Sequence, residues 1–110
     1  MIVRRGEVWL VDFDPTEGHE QAGKRPALVL SEDAFHATEM ATVLPITSKF
    51  RQVRSRIEVR PPTGGLTMTS WVICEQVRSV STKRLIRRLG MVGPDTLALV
   101  GDCVRTILGL

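Results

Sequence analysis

Residues 7–31, EVWLVDFDPTEGHEQAGKRPALVLS, decide the fold. Glu7 to Phe13 is rich in Val, Trp and Phe and is bounded by Gly6 and Pro15, which reads as a strand. Ala27 to Ser31 (ALVLS) is a short continuous apolar run directly after Pro26, as expected of a central strand buried on both faces. Between them lies an 11-residue segment, Asp14 to Lys24, where a hairpin loop ordinarily takes about 2–5 residues. Loops of that length usually fold over a surface and carry function. This one holds His19, Glu20 and Gln21 between Gly18 and Gly23, and it ends on Lys24-Arg25-Pro26.

Further strands follow. Thr42 to Ile46 is one, with Pro45 marking a strand end or an edge. In SRIEVR (55–60), Ile57 and Val59 alternate with charged neighbours, the period-two pattern of a half-solvated strand. Ser70 to Val77 (SWVICEQV) is another, preceded by a turn at Gly64-Gly65. A short turn is expected over Thr82 to Arg87. Helix is predicted only from Pro94 to Leu108, where Leu97, Val100, Val104, Ile107 and Leu108 recur at spacings of three and four. Pro94 suits the first turn, Asp95 the positive end and Gly109 the stop. With no repeat or linker, residues 1–110 read as a single domain: mainly β, a small, strongly twisted barrel or sheet closed by a C-terminal helix.

Composition narrows the function classes. Of 110 residues, 43% are hydrophobic and 25% charged, which excludes a disordered tail, a collagen-like repeat and a disulfide miniprotein. Fifteen basic against 12 acidic residues give +3, with a pI near 9.4, a balance that permits an anionic partner without demanding one. No apolar run approaches the roughly 18 residues of a membrane span. MIVRRGEVW (1–9) lacks the long apolar segment and small-residue cleavage site of a signal peptide, so the expected location is the cytoplasm. Cys74 and Cys103 both sit in apolar stretches and read as buried, reduced thiols, with a disulfide or a metal pair as the alternatives. His19 and His36 are 17 residues apart without a cysteine at ligand spacing, and no HExxH, CxxC, Walker or GxSxG motif occurs.

The basic residues cluster. Lys49, Arg51, Arg54, Arg56 and Arg60 fall within 12 residues, opposed only by Glu58, and Lys83, Arg84, Arg87 and Arg88 form a second group. Each run alone is as ordinary as a solvated face, but together they favour a polyanion partner. Arg25 stands at the junction of the long loop and a buried strand. It is either a surface arginine entering a strand or a fork of donors held on a rigid edge. Thr47, beside Ser48 at another strand end, either satisfies a turn or offers a hydroxyl to a phosphate.

The string GHEQAGKRPALVLS (18–31), preceded by EVWLVDFDPTEG (7–18), resembles the MazF/PemK family of toxin endoribonucleases. LPITS (44–48), GGLTMTSWVICEQVRSV (64–80) and RLIRRLGMVGPDTLALVGDCVRTILGL (84–110) extend the resemblance over almost the whole chain, in family order. It implies an SH3-like barrel of the MazF/PemK/CcdB toxin type, a homodimer, and sequence-specific cutting of single-stranded RNA with neither metal nor cofactor. It also implies an antitoxin whose acidic, disordered segment occludes the RNA groove. By the same resemblance Arg25 and Thr47 are catalytic. RNA carries its own nucleophile, the 2′-OH, so a metal-free cleaver has to remove that proton, stabilise a phosphorane and release the 5′-oxygen. Arg25 would stabilise the transition state, Thr47 would orient the phosphate, and Glu20 would accept the proton, with His19 the other candidate. Relatives commonly carry Ser at the position of His19. Ser70 and Gln76 match family positions near bound RNA. His19, Gln21, Lys24, Ser48, Lys49, Arg51 and Arg54 complete the expected RNA-binding set, and Phe50 is the base-stacking candidate. Trp9 and Trp71 are expected in the core or at the dimer contact. The alternative on the same barrel is a non-catalytic binding module, such as the gyrase-poisoning CcdB-type toxins.

Overall fold

The three apolar runs nearest the N-terminus become the middle of one antiparallel sheet, β1 (Glu7–Asp12), β2 (Lys24–Val29) and β3 (Met40–Thr47). The computed structural model describes residues 1–14, 17, 18 and 20–110; Pro15, Thr16 and His19 lie outside the described residues. Four more strands follow, β4 (Arg56–Val59), β5 (Ser70–Ile73), β6 (Arg78–Ser81) and β7 (Leu85–Met91), and then one helix, α1 (Pro94–Leu108). Hydrogen-bonded neighbours run β4-β5-β3-β2-β1-β7, and β6 also pairs with β3. Among the described residues no pairing joins β4 to β7, so the barrel-like sheet stays open on that side.

Alternation along the central strands divides the core in two. Val8, Leu28, Leu44 and Ile46 face one cluster, completed by Val100 and Val104 of α1. Trp9, Val11, Ala27, Val29 and Val43 face the other, completed by Val80 and Leu85. The central strands are therefore buried on both sides, as the unbroken run ALVLS predicts. Buried Glu7 is satisfied on both carboxylate oxygens: Oε1 accepts from the Trp9 indole (3.1 Å) and the Arg4 amide (2.7 Å), and Oε2 from Arg88 Nε (2.6 Å).

The helix occupies the predicted residues. Pro94 opens it and Asp95 lies in its first turn; Gly109, at φ 71°, closes it by donating to the Thr106 carbonyl at 3.2 Å. Only Val100 and Val104 are fully buried; Ile107 and Leu108, expected on the apolar face, project past the sheet and are exposed.

Other boundaries differ for physical reasons. Ser70–Val77 is not one strand: β5 stops at Ile73 and a 3-10 turn spans Cys74–Gln76. One edge of β3 serves two partners, β5 at Ile46 and Thr47 and β6 at Met40 to Val43, so the chain has to turn between them. Pro45 falls between those stretches, where its missing N–H removes no rung on that edge, and so it sits buried inside β3 rather than at its end. β7 begins inside the segment that reads as a turn. Its exposed Ile86, Arg87 and Arg88 disguise a strand that pairs on one side only, with β1. A 3-10 helix over Asp33–Thr38 has no apolar period to mark it in the sequence.

Candidate nucleic-acid interface

The two residues singled out for chemistry stand at matching ends of adjacent strands. Leu28 pairs with Leu44 and Ala27 with Pro45, where the ladder ends; Arg25 and Thr47 each lie two residues beyond that last pair. Both share the parity of Ala27, Val29 and Val43 and so belong to the same sheet face. Arg25 is half-buried, and its Nε donates to the Ala22 carbonyl at 2.7 Å, which fixes the guanidinium against the base of the long loop. Thr47 is buried, and its hydroxyl accepts from the Lys49 amide at 3.1 Å.

The long loop is fastened at several points. Phe13 N–H donates to the Gly23 carbonyl (2.9 Å), Gly23 N–H to Asp14 Oδ1 (2.9 Å), and Arg84 to the carbonyls of Asp12 and Asp14. Farther along, Gln21 N–H donates to Gln76 Oε1 at 2.9 Å, and Glu20 pairs with Arg78 at 3.2 Å. The guanidinium of Arg78 also lies 5.4 Å from the ring centre of Phe13. These contacts draw Glu20 and Gln21 towards the Cys74–Gln76 turn. His19 lies outside the described residues.

Three depressions adjoin one another along these strand ends. The first, about 530 Å³, is lined by Lys24, Arg25, Ser48, Thr67, Met68 and Ser70, among others. The second, about 380 Å³, is lined by Gln21, Thr47, Lys49, Arg51, Arg56, Glu75 and Gln76. The third, also about 380 Å³, shares Arg51 and Arg56 with the second and adds Phe50, Gln52, Val53, Arg54 and Trp71. Arg25 and Thr47 thus line neighbouring hollows rather than one, with Ser48 in the first and Thr47 and Lys49 in the second. Apart from Glu20, which lines none of the three hollows, and His19, which lies outside the described residues, the expected site and RNA-binding residues all line this trough. Ser70 is buried and donates to the Met68 carbonyl at 2.8 Å.

The basic clusters divide. Arg56 is bound to Glu75 at 2.9 Å, Arg60 to Glu58 at 2.5 Å and Arg88 to Glu7 at 2.6 Å, while Arg84 holds the loop. Among the described residues no ion pair engages Lys49, Arg51 or Arg54, so the positive charge of the first cluster gathers over the second and third hollows. Of the second cluster, Arg84 and Arg88 serve the fold, while Lys83 and Arg87 are exposed.

Glu75 is the site residue that sequence reading missed. Burial works against its ionisation, but hydrogen bonds from Arg56 and Ser55 outweigh that and hold the carboxyl below its ordinary value. Its partner lies 19 residues away, so no local spacing could have revealed the pair. On the helix side, Cys74 and Cys103 are free thiols, and burial together with the nearby Cys103 pushes the Cys74 thiol up. Among the described residues no group of three His, Cys, Asp or Glu side chains is placed to hold a metal ion, and no helix is long and apolar enough to cross a membrane.

A twisted antiparallel sheet with one terminal helix and a basic trough across its strand ends defines a small barrel-like protein. Residues 4–108 match the family described as PemK-like, MazF-like toxin of type II toxin-antitoxin system, and the chain belongs to that family. It is 36% identical to endoribonuclease MazF9 of Mycobacterium tuberculosis over 116 aligned residues, covering 99% of this chain and 98% of that protein. It is 40% identical to endoribonuclease PemK of Escherichia coli over 98 residues, 86% of this chain and 73% of that one. The crystal structure of MazF from Deinococcus radiodurans superposes with a TM-score of 0.89 at 28% identity, covering 100% of this chain and 99% of the other. A MazE–MazF structure from the same organism superposes at 0.84, also at 28% identity, with coverage of 100% and 98%.

Proposed function

We propose that this chain is an endoribonuclease toxin that cuts single-stranded RNA at a short sequence without a metal ion and is neutralised by an antitoxin. The observation that carries this reading is the placement of Arg25 and Thr47 on one face at the head of a basic trough. Arg25 is charged at any ordinary pH and offers a planar fork matched to phosphate oxygens, so its role is to stabilise the phosphorane rather than to remove a proton. Thr47 orients the phosphate through its hydroxyl. In the step proposed, O2′ attacks phosphorus as its proton passes to Glu20, the P–O5′ bond breaks, and O5′ leaves by taking a proton from solvent water. The products are a 2′,3′-cyclic phosphate and a 5′-OH. Glu75 is held by Arg56 and Ser55, and its lowered pKa makes it a poor proton acceptor; Glu20, paired with Arg78, is the proposed base.

Lys24, Ser48, Lys49, Arg51, Arg54 and Ser70 then bind the backbone of the strand, with Gln21 and Gln76 placed to read base edges. Family membership and the cations of the trough that no ion pair engages among the described residues support an antitoxin with an acidic, disordered segment that competes for the same charge. Family membership supports assembly with a second copy, and the cytoplasm is the proposed place of action. The test is incubation with a long unstructured RNA: discrete fragments are expected, and RNA left whole at every protein concentration would overturn the reading.

A further inference from the structure

Trp71, expected in the core or at a dimer contact, is half-buried and lies outside both core clusters. Its ring meets Phe50 edge to face, with centroids 5.2 Å apart and planes at 60°. Phe50 is 65% exposed, so the pair stands open to solvent. An edge-to-face pair leaves ring faces uncovered by the partner. The hollow beside them, about 380 Å³, also carries Arg51 and Arg54, which no ion pair engages among the described residues. The decisive relation is register: Trp71 is the direct partner of Thr47 in the β3–β5 ladder, so indole and hydroxyl belong to the same sheet face, with Cβ atoms about 5 Å apart.

We infer that Trp71 and Phe50 form a stacking subsite for the unpaired base of the nucleotide next to the phosphate held at Thr47, with Arg51 and Arg54 on the adjoining backbone. The inference rests on the RNA-cutting reading and deepens it. Aromatic faces interleaved with arginines are the combination that tracks single strands, because every base offers a π-face. Stacking fixes where the strand lies; identity is read elsewhere in the trough.

Trp9 is buried and Trp71 is half-exposed, so a base that stacks on the subsite changes the emission of one tryptophan only. The full-length protein is titrated with a short 2′-O-methyl RNA, which cannot be cut, and with an abasic strand of equal length and charge. The base-bearing strand should quench emission and bind more tightly, the abasic strand should bind without quenching, and Trp71→Phe should abolish the quench. Phe50→Ala alters an exposed side chain outside the core and should weaken binding by about 10- to 100-fold, with the loss appearing in KM rather than in kcat for a cleavable RNA. Equal quenching and affinity for the two strands would overturn the inference. So would quenching by a poly-glutamate peptide but not by the base-bearing strand, since the hollow would then serve an acidic peptide. Wild-type cleavage of a long RNA is measured alongside. Its absence would refute the nuclease reading, whereas full activity with unchanged KM in Phe50→Ala would refute only the subsite.

Discussion

Arg25 derives its proposed role from its surroundings: a bond to the Ala22 carbonyl fixes it, and it lies two residues beyond the last β2–β3 pair, as Thr47 does on the neighbouring strand. Arg25→Ala should lower kcat by about 10²–10³, as loss of one transition-state donor does, and Arg25→Lys should not restore it, because a point charge does not replace a planar fork. Single-turnover cleavage measures both. Glu75 makes a different prediction. Its folded pKa lies below its ordinary value of 4.5, so the stability it contributes is fully present above that value and is lost as pH falls through the lower folded one. Unfolding followed across acid pH should therefore show a decline that Glu75→Gln flattens. Arg25 and Thr47 are singled out in the sequence by the family-like segments GKRP and LPITS, while on residue pattern alone each reads as an ordinary strand-end residue. Glu75 is not, because what gives it meaning is an arginine on another strand.

Among the strands and turns, those with a strong apolar signal can be read from sequence and those with a polar face cannot. The helix from Pro94 to Leu108 is found to the residue because its period, first-turn proline and stop glycine agree. β6 and β7 escape because RSVS and LIRRLGM mix charge into strands that pair only at an edge or over a few residues. Gly64-Gly65 is recognisable as a turn, but not as the backbone contact it makes with β7. A Cβ on Gly65 would lie 1.9 Å from the Leu89 carbonyl oxygen, at φ +70°. Gly65→Ala should cost about 2–4 kcal/mol. Gly101, inside α1, has open space where a Cβ would stand, with nothing within 4 Å, and should show the opposite sign: Gly101→Ala should stabilise by about 0.5–1 kcal/mol. Urea unfolding of the two variants checks the contrast.

Across the chain, charge near the trough should govern binding. If Lys49, Arg51 and Arg54 each neutralise one phosphate, log K for an uncuttable strand should fall with log salt at a slope of about −2, and each alanine substitution should reduce that slope by about 0.7. The basic run is plain in the sequence but its division is not, since which arginines are consumed by Glu7, Glu58 and Glu75 depends on folded neighbours. If Arg25 stabilises attack by the RNA's own 2′-OH, the chemistry of the cut ends carries the signature of that attack. Wild-type protein incubated with a long RNA in EDTA should leave 5′-hydroxyl and 2′,3′-cyclic phosphate ends, and Arg25→Ala should leave the RNA essentially whole. Ends bearing 5′-phosphate, cutting abolished by the chelator, or an Arg25→Ala protein that cuts at the wild-type rate would contradict it.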